Sequence, residues 1–206
     1  MTPSAESPVD RQVISRDLET SRRQLHELLT VAGTADLRRP SDGTRWTNEQ
    51  LLFHMVFGFM IVRVLLRLVR LFGRLPAPVG RGFAAVLDSA RRPFHGVNYW
   101  GSCAAALVFN HARMGWICDR TIAALQRHLA RESEDSLHRG MAFPTSWDPY
   151  FAPYMTLADV YRYPSRHFEH HRRQLTLRPG TGGPGPWRAA TPPGQRGGTG
   201  PQKSSP

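Results

Sequence analysis

Two histidines four residues apart, His167 and His171, sit in the run His167-Phe168-Glu169-His170-His171. On a helix, positions i and i+4 lie one above the other. The pair therefore presents two imidazoles side by side, a spacing that lets both bind one divalent ion through a ring nitrogen. A third ligand has to come from elsewhere in the chain, and His54 is the candidate. Two readings stand on these residues alone: a metal site, or three core histidines each bonded to a neighbour. A buried imidazole without a partner costs free energy, and three that converge invite a metal. His111 falls on an apolar stripe and reads as a core histidine bonded to a neighbour rather than as a fourth ligand. His170 points away from the pair, and His26, His95, His128 and His138 read as surface or loop residues. Asp148 and Glu169 are candidate acid–base groups, Glu169 the weaker because it falls on the outer face of its helix.

The elements that must position these residues are helices. Val13, Ile14, Leu18, Leu25, Leu28 and Leu29 mark a first helix over 9–31, and Pro40-Ser-Asp-Gly43 breaks the pattern. Thr47 with Gln50 makes a capping box, and Trp46 before it with Leu51 can form a hydrophobic staple. The helix they open runs from Asn48 to about Phe72, stopped by Gly73 and Pro76. It is apolar enough to suggest a membrane span, but Arg63, Arg67 and Arg70 lie inside it and Arg74 follows. An arginine at a bilayer centre costs about 2.5–3.5 kcal/mol on insertion scales. At 100° per residue Arg63 lies about 180° from His54, and the other three fall within about 40° of that direction. The arginines make an outer face and His54 points inward; no transmembrane span is expected.

A short helix is expected over 81–91 and a long one from Tyr99 to Ala130, carrying the stripe Trp100, Cys103, Leu107, His111, Cys118, Ile122, Leu125 and Leu129. Residues 131–155 read as a long connection, polar and then rich in proline and aromatics. Thr156 and Asp159 form a second capping box opening the last helix, which Pro164 should kink. No segment shows strand alternation. The expected fold is all-α, a four-helix bundle over residues 9–178 with long connections, and the Gly/Pro-rich residues 179–206 are expected to be a disordered tail.

Composition adds limits. The chain carries 27 Lys+Arg against 16 Asp+Glu, which raises a nucleic-acid or membrane-surface partner. Lys203 is the only lysine, and so strong an arginine bias looks like GC-rich coding; no specific nucleic acid is expected. Cys103 and Cys118 fall about 22 Å apart if they share one helix, too far for a disulfide. They read as free, buried thiols in a reducing compartment. The polar N-terminus has no apolar signal core, and a cytoplasmic location is expected. The phosphate loop Gly-x-x-x-x-Gly-Lys-Ser/Thr, Gly-x-Ser-x-Gly and Cys-x-x-Cys are missing from the sequence.

Trp-Thr-x-x-Gln-Leu-Leu-x-His (Trp46 to His54) and His-x-x-x-His-Arg-Arg-Gln-Leu (His167 to Leu175) resemble the two signature segments of the DinB superfamily, small metal-binding four-helix bundles. The resemblance covers about residues 9–178. It implies His54, His167 and His171 as ligands of a divalent ion, zinc or nickel above others. It also implies relatives that transfer or isomerise with a low-molecular-weight thiol such as mycothiol, bacillithiol or glutathione. The expected function is a metal-dependent thiol S-transferase or related detoxification enzyme, with a small-molecule electrophile and a thiol as partners. The alternative is a non-catalytic, metal-stabilised bundle acting at a membrane surface or a protein interface. Related bundles pair, and the apolar circumference of the second helix (Phe57, Phe59, Met60, Val64, Leu66, Leu71) points to a homodimer.

Overall fold

The computed structural model describes residues 8–177; the tail expected over 179–206 lies outside the described residues. Four long helices form the bundle: α1 (Arg11–Val31), α3 (Asn48–Phe72), α6 (His111–Arg131) and α8 (Leu157–Arg172). Around the ring, α1 packs on α6, α6 on α3, α3 on α8 and α8 back on α1. The short helix α2 (Thr34–Leu37) lies in the first connection. An arm of two helices, α4 (Ala77–Ser89) and α5 (Arg91–Val108), follows α3, and α5 folds back onto it. The small helix α7 (Glu134–His138) leads into β1 (Gly140–Ala142), which pairs antiparallel with β2 (Tyr154–Thr156) in the register Gly140–Thr156, Met141–Met155 and Ala142–Tyr154.

Local chemistry explains the starts. The Asp10 carboxylate caps α1 by accepting from the Val13 amide at 2.9 Å. The boxes at Thr47/Gln50 and Thr156/Asp159 both form, satisfying amides that a helix N-terminus leaves unpaired. The inward stripes of Ile14, Leu18 and Leu25 on α1, Leu52, Phe59 and Leu66 on α3, Ile122 and Leu125 on α6, and Tyr161 and Phe168 on α8 are almost wholly buried. α8 runs through Pro164 without interruption.

Three expectations need correction. The single helix expected from Tyr99 to Ala130 is two, α5 and α6, broken at Phe109-Asn110. Asn110 is extended there, at φ −64° and ψ 174°, and the Glu49 carboxylate accepts from the His111 amide at 3.3 Å, a negative group at the positive end of α6. Both helices keep helical spacing across the break, so the stripe gives no sign of it. Much of the stripe on α5 faces outward: Trp100 is 69% exposed and Leu107 84%. Secondly, Cys103 and Cys118 lie on different helices; Cys118 is buried, its thiol pushed up to about 12 by burial, but Cys103 is only half-buried. Thirdly, a strand pair exists where none was expected. Three residues per strand are too few to show alternation, and the pairing is set by what the ladder closes.

That ladder is the neck of a loop. The Phe143 amide donates to the Pro153 carbonyl at 3.1 Å, so 143–153 leaves and returns at one point. The loop is tied to α4 by Ser146, whose hydroxyl donates to Asp88 at 2.6 Å. Trp147 adds a second tie, donating from Nε1 to the Leu87 carbonyl at 2.9 Å.

The arginine stripe divides. Arg63, Arg67 and Arg74 are exposed. Arg70 pairs with Glu132, which also accepts from the Tyr161 hydroxyl at 3.3 Å. This network ties α3 to the end of α6 and to α8. α3 is long and apolar enough to cross a membrane, but 56% of its most apolar window is buried inside the protein. Much of the cover it needs comes from within the chain: Phe59 and Leu66 are buried, Phe57 and Met60 half-buried, and Val64 and Leu71 exposed.

Candidate metal centre

His54, from α3, meets His167 and His171, from α8, in one cluster. Ring centroids stand 5.0 Å apart for His54–His167, 4.8 Å for His54–His171 and 4.5 Å for His167–His171. One ring nitrogen of each lies within 4.8 Å of the others. A tetrahedral zinc with bonds of about 2.0–2.1 Å sets its ligands about 3.4 Å apart. The rings therefore need to draw in by roughly an ångström to share an ion.

Several contacts bring the two helices together here. Asn48, wholly buried at the start of α3, donates from Nδ2 to the Asp36 carbonyl at 2.8 Å. It also accepts from the Thr176 amide at 3.1 Å, fixing the chain just past α8 against the start of α3. Gly58 lets the rings approach. A Cβ there would stand 2.6 Å from His167 Nδ1, so only a glycine admits the imidazole this close to α3. Trp46 stacks on His54 with centroids 4.4 Å apart.

The second nitrogens are partly fixed. His171 Nδ1 lies 2.7 Å from Gln174 Oε1; a carbonyl oxygen can only accept, so Nδ1 carries the proton and the Nε2 lone pair is free. His54 Nδ1 lies 3.3 Å from the Ser102 hydroxyl on α5. Among the described residues, His167 Nδ1 is buried with no hydrogen-bond partner, an orphaned nitrogen that an ion would satisfy. Burial, with His171 nearby, lowers the His54 pKa to about 3. Burial likewise takes His171 down to about 4, partly offset by the Gln174 contact and deepened by His170. His167 lies well below the usual histidine range for the same reason, with the other three imidazoles adding to it. All three are neutral near pH 7, the state a metal requires. Orphaned atom, neutral rings and glycine cradle fit a divalent ion, and these three histidines can hold one.

Asp148, at the far end of the 143–153 loop, is the acid the structure brings to the cluster. Its Oδ2 lies 3.7 Å from His167 Nε2 and accepts from the Tyr163 hydroxyl at 2.9 Å. Burial raises its pKa, against the pull of the Tyr150 amide and the Tyr163 hydroxyl. Glu169 stands outside, bridging Arg172 and Arg173. His111 is not in the cluster: Nε2 donates to the Leu29 carbonyl at 2.6 Å, as expected of a histidine bonded to its neighbour. His170 lies outside the triad but under the 143–153 loop, its Nδ1 3.2 Å from the Tyr150 hydroxyl. His26 is exposed and contacts Asp119 at 2.8 Å. Sequence reasoning missed Gly58, Ser102, Gln174 and Asn48. Gly58 alone left a signal, a glycine inside an apolar helix one turn after His54.

Beside the cluster opens a cleft of about 650 Å³, walled by α3, α5 and the 143–151 segment, with His54, His167, His171 and Asp148 in its lining. Bundle, inward histidine of the second long helix and histidine pair of the last define a class of helical bundles built around a three-histidine site. The chain belongs to the DinB superfamily, whose sequence pattern matches residues 17–175. No curated protein and no solved structure matches the chain.

Proposed function

We propose that residues 9–178 form a metal-dependent thiol S-transferase or related detoxification enzyme, with His54, His167 and His171 as ligands of one divalent ion, zinc or nickel. The reactants are a low-molecular-weight thiol of the mycothiol or bacillithiol type and a small electrophile. The observation that carries the reading is the cleft opening on the triad with Asp148 at its edge. A site meant only to brace the fold closes its coordination with a fourth protein ligand; His111 is bonded to the Leu29 carbonyl and lies outside the cluster.

A divalent ion bound there supplies Lewis acidity, lowering the pKa of a thiol or water that reaches it. The chain's own residues do the rest. Asp148, its basicity raised by burial, takes the thiol proton at a carboxylate oxygen. Tyr163 holds that carboxylate in place through Oδ2. Sulfur then forms its bond to the electrophilic carbon. The proton held by Asp148 returns to the leaving group, or to the adduct where nothing leaves. Phe57 and Phe143 line the cleft around the reacting groups and keep water from competing. The free cysteines Cys103 and Cys118 accord with a reducing cytoplasm.

Elemental analysis of purified protein tests the ligand set: about one divalent ion per chain is expected, lost in His54→Ala, His167→Ala and His171→Ala. Parental metal content in all three refutes it. Metal-dependent consumption of a thiol across an electrophile panel tests the chemistry. Asp148→Asn should slow turnover while keeping the metal. Absence of any metal-dependent thiol consumption favours a non-catalytic bundle.

A further inference from the structure

The cleft is much longer than the metal cluster it serves. On α3 its lining runs from His54 through Gly58, Ile61 and Leu65 to Leu68, one continuous face at helical spacing. Fourteen residues at 1.5 Å each make about 21 Å. α5 forms the facing wall: Phe109, just past its end, stacks on Phe53 near the start of α3, and Ser102 meets His54. The third wall is the 143–151 segment, where Trp147 stacks on Phe94 with centroids 3.7 Å apart.

Polarity along this channel is one-sided. The histidines, Asp148, Tyr163 and Ser102 gather at one end, with Asn98 one turn before Ser102 on α5. Beyond Ile61 the α3 and α4 lining is Val64, Leu65, Leu68, Phe83 and Leu87, all apolar. No lysine or arginine lines the channel among the described residues. A compact anion would find its polar end at the triad but no cation for a second charge, and would leave the apolar length wet. The ligand that fills this shape has one polar head and a long hydrocarbon body.

We propose that the channel binds a long unbranched aliphatic chain, so that the electrophile of the reaction is a long-chain amphiphile with its reacting head at the triad and its tail along α3 towards Leu68. Only the placement of the head rests on the metal-dependent reading above; the tail site stands on the channel. C–C bonds of about 1.5 Å advance an extended alkyl chain about 1.25 Å per carbon, so the channel takes about 16 carbons.

The experiment uses the full chain, chelated with EDTA and, in parallel, loaded with zinc. A series of n-alkanols from hexanol to octadecanol is titrated against the tryptophan fluorescence of Trp46 and Trp147, both in the channel wall. Affinity should rise about threefold or more per methylene and level off near about 16 carbons. Ile61→Trp blocks the channel about 10 Å from His54 and should move that plateau to about 8 carbons, leaving hexanol affinity within about twofold. Leu68→Trp blocks only the far end and should move it by a few carbons. Circular dichroism checks the fold of both, and either variant that folds is a sufficient test. Affinity that ignores chain length, or a plateau that ignores the position of the tryptophan, overturns the proposal. Metal failure is separable: if zinc is never taken up, the chelated protein still shows the chain-length series, and if the channel is wrong, zinc uptake is untouched.

Discussion

Replacing Gly58 with alanine should weaken metal binding while leaving the metal-free fold nearly as stable as before. The new Cβ would stand 2.6 Å from His167 Nδ1, 3.1 Å from Cε1 and 3.5 Å from Cγ. Ordinary contact begins near 3.5 Å, so the ring has to retreat by roughly 0.9 Å. His54 and Gly58 stand one turn apart on α3, so a ring pushed off that helix also moves away from His54. That is the wrong direction, because an ion needs the donors about an ångström closer than they stand. His167 has little room elsewhere, with Tyr163 at 5.5 Å and His171 at 4.5 Å between ring centroids. Against this, alanine for glycine inside a helix is worth about 1 kcal/mol, which offsets much of the strain in the metal-free protein. Displacing a ligand's support costs about ten- to a hundredfold in metal affinity, or about 1.4–2.7 kcal/mol. The assay is zinc competition against a chromophoric chelator, beside thermal melts of the EDTA-treated protein. Gly115→Ala is the control, since its Cβ would meet His26 Cε1 at 2.9 Å, but His26 lies at the surface, far from the triad, and can yield at the cost of its contact with Asp119. Parental zinc affinity in Gly58→Ala, or an equal loss in Gly115→Ala, refutes the reasoning.

Metal-free protein should lose stability as pH falls from about 6.5 toward about 3. Unfolded histidines take up protons near 6.5, whereas folded His54 does so only at about 3 and His171 at about 4. The unfolded chain binds more protons throughout that window, and urea midpoints should drop between pH 7 and pH 5, less steeply in His54→Ala. Glu132→Gln should cost about 1–3 kcal/mol, because Glu132 is only 11% exposed at its side chain and serves both Arg70 and Tyr161; an unchanged melting temperature would show the network to be idle. A homodimer is expected over the exposed Val64 and Leu71 of α3, with Arg63, Arg67 and Arg74 at its wet rim; light scattering at micromolar concentration giving one chain mass would exclude it.

The features legible in the sequence are those that depend on a few neighbouring residues. Thr47 with Gln50 and Thr156 with Asp159 set two helix starts at the residues the structure shows, because a cap is made within one turn. The pairing of His167 with His171 and the inward aim of His54 follow from 3.6-residue geometry. The inward aim of His54 made it the candidate third ligand and the resemblance supported joining it to the pair; local spacing alone says nothing of a partner more than a hundred residues away. Tertiary structure decided what no window contains. The break at Asn110 is hidden because both helices keep the same period, and it is held by Glu49 from α3. The outward stripe of α5 is as apolar as a buried one, and only packing tells them apart. Asp148 reads as an ordinary loop acid until the β1–β2 neck and the ties to Asp88 and Leu87 carry it to His167. Gly58 matters only because another helix presses an imidazole against it, a contact made by the fold and not by the helix that contains the glycine.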